Sequence, residues 1–268
     1  MIPSVKNPFE PDDVNVHVWR YGQLWKLLYA IEHRVLWFTL LDVLKRDYDP
    51  FEAAVPVKTK ESDMMIRGSS QDMRQIRPMF DPYCAPPHHV VTLMPTIEQR
   101  RKGLLRSAYA CCWRYGHESD AMWQLYCGRD DGVVIQTTYA KLRDSITDPD
   151  VRIAVVNYID YETEAFAQHS TYRDPAIHKR VAFDYEQEVR LLRCVDDDFR
   201  NAGQNEKFSA PLYWEMQWPT IDGIIDQIVV HPRLGERYFR IVQSAVGRVS
   251  SVLANKVQRS RLSHIPTY

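Results

Sequence analysis

The chain has 268 residues, of which 45% are hydrophobic and 26% are charged, a composition typical of a folded globular protein. Its 34 lysines and arginines nearly balance its 35 aspartates and glutamates, so no overall positive field attracts nucleic acid or an anionic membrane. We expect one domain over residues 1–268, in which a nucleic-acid partner would need a local basic patch.

The termini and cysteines indicate the compartment. The N-terminal stretch "MIPSVKNPFEPDD" lacks the apolar core of a signal peptide, and no stretch is long enough to span a bilayer. The five cysteines are odd in number, and the adjacent Cys111 and Cys112 suit neither ordinary disulfide geometry nor a zinc knuckle. We therefore expect a cytoplasmic protein with reduced thiols and no membrane partner.

Hydrophobic periodicity predicts strands and helices in mixed order. The predicted elements, in chain order, are a strand at 14–21, a helix at 21–34, a strand at 35–40, a strand at 107–116, a helix at 118–127, strands at 131–139, 151–161 and 225–232, and a closing helix at 236–257. The buried face of the closing helix is predicted to comprise Ile241, Val242, Ala245, Val246 and Val249. Because no regular β-α-β repeat occurs, we expect an α+β fold with a mixed or antiparallel sheet flanked by helices.

Residues 56–98 break every periodic pattern. Six prolines and the polar run "TKESD" interrupt this segment, in which only "SSQDMRQIRPMF" has the character of a short helix. Long irregular segments in compact domains are often lids or binding loops. A binding loop and a surface insertion both fit the pattern.

The stretch "FDYEQEVRLL" (183–192) carries two glutamates two positions apart. Read as a strand, it places Glu186, Glu188 and Arg190 on one face, whereas a helix would turn the glutamates to opposite sides. Two close carboxylates beside an arginine can hold a polarised hydroxyl group or a cationic centre. The alternative interpretation is an exposed strand edge with a cross-strand ion pair.

An aromatic cluster and one arginine are further candidates for a site. Trp123 and Tyr126 lie one helical turn apart and Trp113 lies in the preceding strand, which predicts either a core cluster or an aromatic wall that stacks a base or a nicotinamide ring. Arg20, followed by Tyr21 and a glycine, lies where a strand gives way to a helix. An arginine in that position can bind phosphate together with the helix N-terminus.

Established motifs for metals and nucleotides are absent. The sequence contains no G-x-x-x-x-G-K-[ST], G-x-G-x-x-G, H-E-x-x-H or G-x-S-x-G pattern, and its histidines are scattered or lie among prolines. The segment "DPFE" at 49–52 is predicted to be a turn that anchors Phe51 rather than a pair of metal ligands. No metal site is predicted.

Five segments, taken together and in order, resemble the widespread and mostly bacterial family known as domain of unknown function 2971. They are "WRY", "DPFE", "CWRYGHESDAMWQLY", "GVVIQTTY" and "HKRVAFDYEQEVRLL", and they span residues 19–192. The name of the family assigns no reaction. The resemblance therefore implies a relationship without an activity.

A second resemblance is to ADP-ribosyltransferases of the arginine class. Those enzymes use an arginine at the end of the first strand for the NAD phosphates, and the second glutamate of a Glu-x-Glu strand for the ribose and for the cationic centre that forms as nicotinamide leaves. Matching residues occur here in the same order, although the Ser-Thr-Ser element of that class is absent. The resemblance implies that NAD is the substrate and that the catalytic residues are Glu188, Glu186 and Arg20. It also implies that the NAD-binding residues are Arg20, Tyr21, Trp113, Trp123 and Tyr126.

Three functions are compatible with these observations. The first, implied by the resemblance, is an NAD-dependent ADP-ribosyltransferase or NAD glycohydrolase. Such a protein would act as a toxin or phage-defence effector that modifies nucleic acid or protein. An antitoxin or another regulatory partner would control it. Lys179 and Arg180 would then add charge for a nucleic-acid acceptor. The second is a non-enzymatic nucleotide-sensing or protein-interaction module in which the glutamates are structural. The third is a metal-dependent nuclease that uses the two glutamates with Asp184 or Asp49.

Overall fold

A computed structural model of the chain describes residues 9–62, 96–128, 131–166 and 174–263. Its main feature is a nine-stranded sheet with helices on both faces, in which most neighbouring strands are antiparallel. The predicted α+β class, with a mixed and mostly antiparallel sheet, is confirmed. None of the described helices is long and apolar enough to cross a bilayer.

The strands are β1 (His17–Gln23), β2 (Val35–Leu40), β3 (Tyr109–Tyr115), β4 (Gly132–Thr138), β5 (Val151–Val155), β6 (Asn157–Ile159), β7 (His178–Arg180), β8 (Glu188–Arg193), β9 (Tyr213–Gln217), β10 (Gln227–Val230) and β11 (Val257–Arg259). The helices are α1 (Leu24–His33), α2 (Leu41–Asp47), α3 (Ile97–Ser107), α4 (Asp120–Tyr126), α5 (Tyr139–Asp144), α6 (Asp196–Gln204), α7 (Ile221–Ile224), α8 (Glu236–Val249) and α9 (Ser251–Ala254). A 3-10 helix precedes β8 and covers Val181–Glu186. β6 and β7 form a separate parallel pair.

The main sheet divides at β3. One edge of β3 pairs with β8 from Tyr109 to Arg114. The other edge of β3 is shared by two strands. β1 pairs only with the C-terminal end of β3, where Trp19 lies opposite Arg114. β2 pairs only with the N-terminal end of β3, where Thr39 lies opposite Ala110. β1 continues the sheet through β4, β10 and β11, whereas β2 continues it through β9. A fork therefore opens between β1 and β2, beside residues 111–113.

The two faces of the sheet bury separate cores. Successive residues of a strand point to opposite faces. In β8, Leu191 belongs to a core that includes α1 and α8, and Leu192 belongs to a second core that includes α3 and α6. The strands that carry the fork are thus held from both sides by apolar packing.

Most predicted strands and helices are present, with altered ends. The first strand begins at His17 rather than Val14, and the strand predicted over 151–161 is divided into β5 and β6. The closing helix ends at Val249 because Ser250 is extended and its hydroxyl group caps the next helix. Ile241 was expected to be buried and is 51% exposed, since the buried face of α8 runs through Val242 and Val246.

The irregular segment predicted over 56–98 is only partly described. Residues 57–62 are helical, and α3 begins at residue 97 after a capping box formed by Thr96 and Gln99. The short helix suggested for 69–80 lies outside the described residues. The suggestion that this segment acts as a lid or binding loop stays a prediction.

Candidate functional site

A cavity of about 610 Å³ lies at the fork, within the size range of small-molecule sites. Its lining includes Arg20, Tyr21, Trp113 and Glu188. The strand register assigns these residues to different faces of the sheet: Tyr21 and Glu188 share one face, and Arg20 and Trp113 share the other. The cavity can reach both faces because β1 and β2 have separated from the middle of β3.

The first half of the cavity is cationic and consists of Arg20, Lys26 and Trp113. The Arg20 guanidinium donates from Nη2 to the carbonyl oxygen of Trp37 at 2.9 Å, which connects β1 to β2 across the fork. Its Cζ atom lies 6.0 Å from the centre of the Trp113 ring. Neither Arg20 nor Lys26 forms an ion pair with any residue that the structure describes.

The charge on Lys26 has an energetic cost in this position. Displacement of water by the surrounding protein lowers the pKa of its ammonium group, and the neighbouring Arg20 charge lowers that pKa further. The charge of Asp131 partly opposes this shift, but no described carboxylate forms an ion pair with either cation, and two cations that repel each other form a favourable environment for an anion.

The second half of the cavity is a buried carboxylate cluster. It consists of two cations, Lys179 and Arg190, and four carboxylates: Asp49, Glu52, Glu186 and Glu188. All six residues are buried and line the cavity. The cluster thus contains twice as many acidic as basic side chains.

Arg190 connects two of the carboxylates. Its side chain is 1% exposed, and it donates from Nε to Oε1 of Glu188 at 2.8 Å and from Nη1 to Oε1 of Glu52 at 2.7 Å. The same Nη1 atom donates to the carbonyl oxygen of Ala176 at 2.7 Å. The planar guanidinium thus positions Glu188 of β8 beside the turn that carries Glu52.

Lys179 connects three of the carboxylates. Its Nζ atom lies 2.6 Å from Oε2 of Glu186, 2.9 Å from Oε2 of Glu188 and 3.7 Å from Oδ2 of Asp49. The Tyr126 hydroxyl group donates to Oε1 of Glu186 at 2.9 Å. Every side-chain oxygen of the two glutamates therefore has a protein partner.

The cluster shifts the pKa values of its members in opposite directions. Burial alone would raise the pKa of Glu188, but the charges of Arg190 and Lys179 outweigh burial and hold that pKa well below its usual range. Burial would lower the pKa of Lys179, and the carboxylates of Glu188 and Glu186 raise it instead. Burial, followed by the charge of Glu186, raises the pKa of Tyr126. Because its pKa is held low, Glu188 stays ionised at neutral pH.

The sequence had suggested that the two glutamates share one face of a strand, and this prediction is wrong. Glu186 ends the 3-10 helix, Gln187 has a left-handed backbone with φ of 45°, and β8 begins at Glu188. The two carboxylates nevertheless meet, because both contact Lys179. The alternative of an exposed strand edge is wrong, since both glutamates are buried and β8 lies between β3 and β5.

The predicted aromatic residues divide into two groups. Trp113, Tyr21 and Tyr126 line the cavity. Tyr21 accepts a hydrogen bond from the backbone N–H of Ser119, and burial raises the pKa of its hydroxyl group to about 12. Trp123 is fully buried away from the cavity and donates from Nε1 to Glu118 at 2.8 Å. Trp113 belongs to both groups, because it is 2% exposed and part of a hydrophobic core as well as of the cavity lining, whereas Trp123 is a core residue only.

Lys26 and Glu52 line the cavity but were not expected there from the sequence, which offered Asp49 only as a nuclease ligand and Lys179 only as charge for a nucleic-acid acceptor. The sequence signal that could have identified Asp49 and Glu52 is the "DPFE" turn. In the structure both acids of this turn are buried, whereas Phe51, the residue expected to anchor the turn, is 43% exposed. Phe51 instead lies under the Arg180 guanidinium, with 4.0 Å between Cζ and the ring centre. Nothing local in the sequence indicates that Glu52 meets Arg190 of β8.

The comparison with protein families covers one part of this site. Residues 122–191 match the family described as "Protein of unknown function (DUF2971)". The resemblance stated from the sequence is thereby confirmed over that segment, which includes Lys179, both glutamates and Arg190 and excludes Arg20, Asp49 and Glu52. Comparisons with curated proteins and with solved structures found no match.

Proposed function

We propose that the protein binds NAD at the fork and breaks the bond between its ribose and nicotinamide, transferring ADP-ribose to an acceptor. The observation that carries this proposal is the charge polarity of the cavity. The half with Arg20 and Lys26 suits the pyrophosphate anion, and the carboxylate cluster suits the positively charged nicotinamide riboside. NAD carries both charges within one molecule.

The proposed step conserves atoms and charge. The C1′–N bond breaks and its electron pair goes to nicotinamide, which leaves as a neutral molecule while positive charge develops on the ribose. A lone pair of the acceptor forms the new bond to C1′, and the acceptor loses a proton to solvent. With water as the acceptor, the product is free ADP-ribose. The carboxylate of Glu188, whose pKa is held low so that it stays ionised, stabilises the cationic transition state.

We assign each residue a role from its position in the cavity. Arg20 would bind the pyrophosphate, Trp113 would pack beside it, and Glu188 would face the ribose. Glu186, held by Tyr126 and Lys179, would orient the acceptor. Lys179 and Arg190 hold the two glutamates in place and are positioning residues.

The test is incubation of the purified protein with NAD labelled in its adenylate, with and without nucleic acid, protein and cell extract. Nicotinamide release and label transfer are both measured for the wild type, Glu188→Gln and Arg20→Gln. Glu162→Gln is the matched control, because Glu162 is exposed and does not line the cavity. We expect Glu188→Gln to lose at least 100-fold in nicotinamide release and the control to lose nothing. An unchanged rate in Glu188→Gln contradicts the proposal.

A non-catalytic nucleotide-binding module is the second candidate. It is favoured by the saturation of both glutamates, whose side-chain oxygens already have partners inside the protein. In that case NAD or another nucleotide binds without turnover, and Glu188→Gln changes protein stability but leaves ligand affinity unchanged. Calorimetric titration of NAD into both proteins separates the two functions.

The nuclease hypothesis has less structural support. In the described ranges, no group of three or more histidine, cysteine, aspartate or glutamate side chains is arranged to hold a metal ion. Asp184, one of its suggested ligands, is exposed rather than part of the cluster. Nucleic-acid cleavage that EDTA abolishes would favour this function over the other two.

The effector role, as a toxin or in phage defence, rests on family resemblance. Expression of the wild-type chain in bacteria should then arrest growth, and Glu188→Gln should relieve the arrest at equal protein abundance. Equal growth arrest by the two proteins would argue against a role for NAD chemistry in toxicity.

A further inference from the structure

An exposed aromatic surface borders the cationic half of the cavity. It consists of Trp25 and Tyr29 of α1, Trp37 of β2 and Tyr213 of β9, and we call it the aromatic rim. The Trp37 ring is in edge contact with the other three, at centroid distances of 6.2 Å to Trp25, 5.6 Å to Tyr29 and 4.9 Å to Tyr213. The rings therefore form one connected surface rather than isolated side chains.

The rim is not part of either core. Helix α1 buries Leu27 and Ile31, whereas Trp25 is 53% exposed and Tyr213 is 46% exposed. Trp25, Trp37 and Tyr213 all line the cavity. Large apolar side chains left in contact with water at a cavity mouth commonly mark a binding surface.

The charges on the rim favour an anionic partner. Lys26 lies 5.5 Å from the centre of the Trp25 ring and has no ion-pair partner among the residues described. Glu215 accepts a hydrogen bond from the Tyr29 hydroxyl group at 2.9 Å, so an acidic side chain lies at the Tyr29 end of the rim and the basic Lys26 lies at the Trp25 end. A basic side chain of a protein acceptor would meet repulsion from Lys26, whereas a phosphate group would be attracted.

Aromatic rings beside an unpaired cation fit a nucleobase and its phosphate. Proteins bind single strands by stacking bases on aromatic side chains while cations follow the backbone, and stacking needs bases that are not paired in a duplex. The chain has no overall positive charge, so the contact would involve a short unpaired stretch rather than a long duplex.

We propose that the aromatic rim binds an unpaired nucleobase of a single-stranded nucleic acid, with Lys26 near the adjacent phosphate. The further assignment of this base as the ADP-ribose acceptor rests on the proposed function. Lys26 is shared with the proposed pyrophosphate site, whereas the four aromatic residues of the rim have no assigned role in binding NAD.

Binding is tested first, in the absence of NAD. An eight-nucleotide single strand of thymidines is titrated into the full chain, and intrinsic tryptophan fluorescence is followed. The comparison probes are a duplex containing the same strand and an abasic strand of equal charge. We expect quenching by the single strand alone. Equal affinity for the abasic strand would overturn the proposal, because it would mean that charge suffices without a base.

Substitutions at Trp25 separate stacking from general apolar contact. Trp25→Phe keeps an aromatic face and should keep affinity within about threefold, whereas Trp25→Leu keeps apolar bulk and should lose about tenfold. Ile241→Ala is the matched control, since Ile241 is equally exposed and does not line the cavity. Equal binding by Trp25→Leu and the wild type would overturn the proposal and would favour an apolar peptide as the occupant.

Transfer is tested second, with labelled NAD and the same single strand. In Trp25→Leu, label transfer to the strand per nicotinamide released should fall about tenfold. Label found only on protein would overturn the acceptor assignment. Absence of NAD turnover in the wild type would reject the proposed function, and the binding results obtained without NAD would still decide whether the rim binds a base.

Discussion

The two halves of the cavity differ in how far their charged side chains are paired within the protein. In the carboxylate cluster, Lys179, Arg190 and Tyr126 supply partners for every side-chain oxygen of Glu186 and Glu188. In the cationic half, Arg20 has one carbonyl partner and Lys26 has no ion pair in the described part of the chain. Charges satisfied within the protein contribute to its stability, and charges left unpaired are available to a ligand. Substitutions in the first half should therefore affect folding most, and substitutions in the second half should affect binding most.

The largest effect on folding is expected from Arg190→Ala. This change leaves the buried carboxylates of Glu52 and Glu188 without their main partner, and breaking a buried pair by removing one member costs about 3–5 kcal/mol. Urea unfolding measures the loss. Arg240→Ala is the control, because Arg240 is exposed and its pair with Glu236 is worth at most about 0.5 kcal/mol. A loss below about 1 kcal/mol at Arg190 would show that the two halves do not differ as described.

The next effect concerns acid stability and Glu188. The folded-state pKa of Glu188 lies below its usual value of 4.5, so its ionised form contributes stability above that pH, and the contribution is lost as pH falls toward the folded-state pKa. Glu188→Gln cannot take part in this titration. Its free energy of unfolding should therefore be lower than that of the wild type at pH 7 and should fall less steeply between pH 5 and about pH 2. Parallel curves for the two proteins would contradict the assigned charge state.

Arg20→Gln should show the opposite balance of effects. Loss of the hydrogen bond to the Trp37 carbonyl should cost about 0.5–1.5 kcal/mol of stability, whereas loss of the phosphate contact should weaken NAD binding by about 10-fold to 100-fold. Calorimetry measures the affinity, and thermal unfolding measures the stability. A protein that unfolds at room temperature would show that Arg20 mainly holds β1 and β2 together across the fork.

The smallest effect on folding is expected for Lys26→Gln. The substitution removes repulsion between two cations, so stability should stay within about 0.5 kcal/mol of the wild type or rise slightly. Binding of NAD or of a single strand should weaken by less than about tenfold and should depend less on salt concentration. The control is Lys58→Gln, because Lys58 is exposed and does not line the cavity. A marked loss of stability would reveal an ionic contact for Lys26 that the structure does not show.

Much of the fold was predictable from local patterns. β2, β3, α4, β4 and β10 lie where alternation, capping residues and short apolar runs predicted them. The errors occurred where tertiary contacts override local preference. Trp123 has the spacing of a binding-site aromatic residue but is packed against Val134 and Val229, and Ile241 is exposed although it fits the helical stripe.

The carboxylate cluster was predictable only in part. The sequence identified Glu186, Glu188 and Arg190 because they are close in the chain, and it misjudged their geometry because Gln187 adopts a left-handed conformation that no local pattern required. It did not associate Glu52 with Arg190, which lie 138 positions apart. Lys179 was expected to add charge for a nucleic-acid acceptor, whereas β7 places it between the two glutamates.

The sequence by itself determined the α+β class, the order of most strands and helices and the two glutamates, because periodicity and spacing report which face of a local segment is buried. Only the tertiary structure decided that β1 and β2 share one edge of β3, that a cavity opens where they diverge, and that its two halves carry opposite charge. The physical reason is that strand register and the partners of buried charges depend on contacts between residues far apart in the chain, and each contact is favourable only after the others have formed.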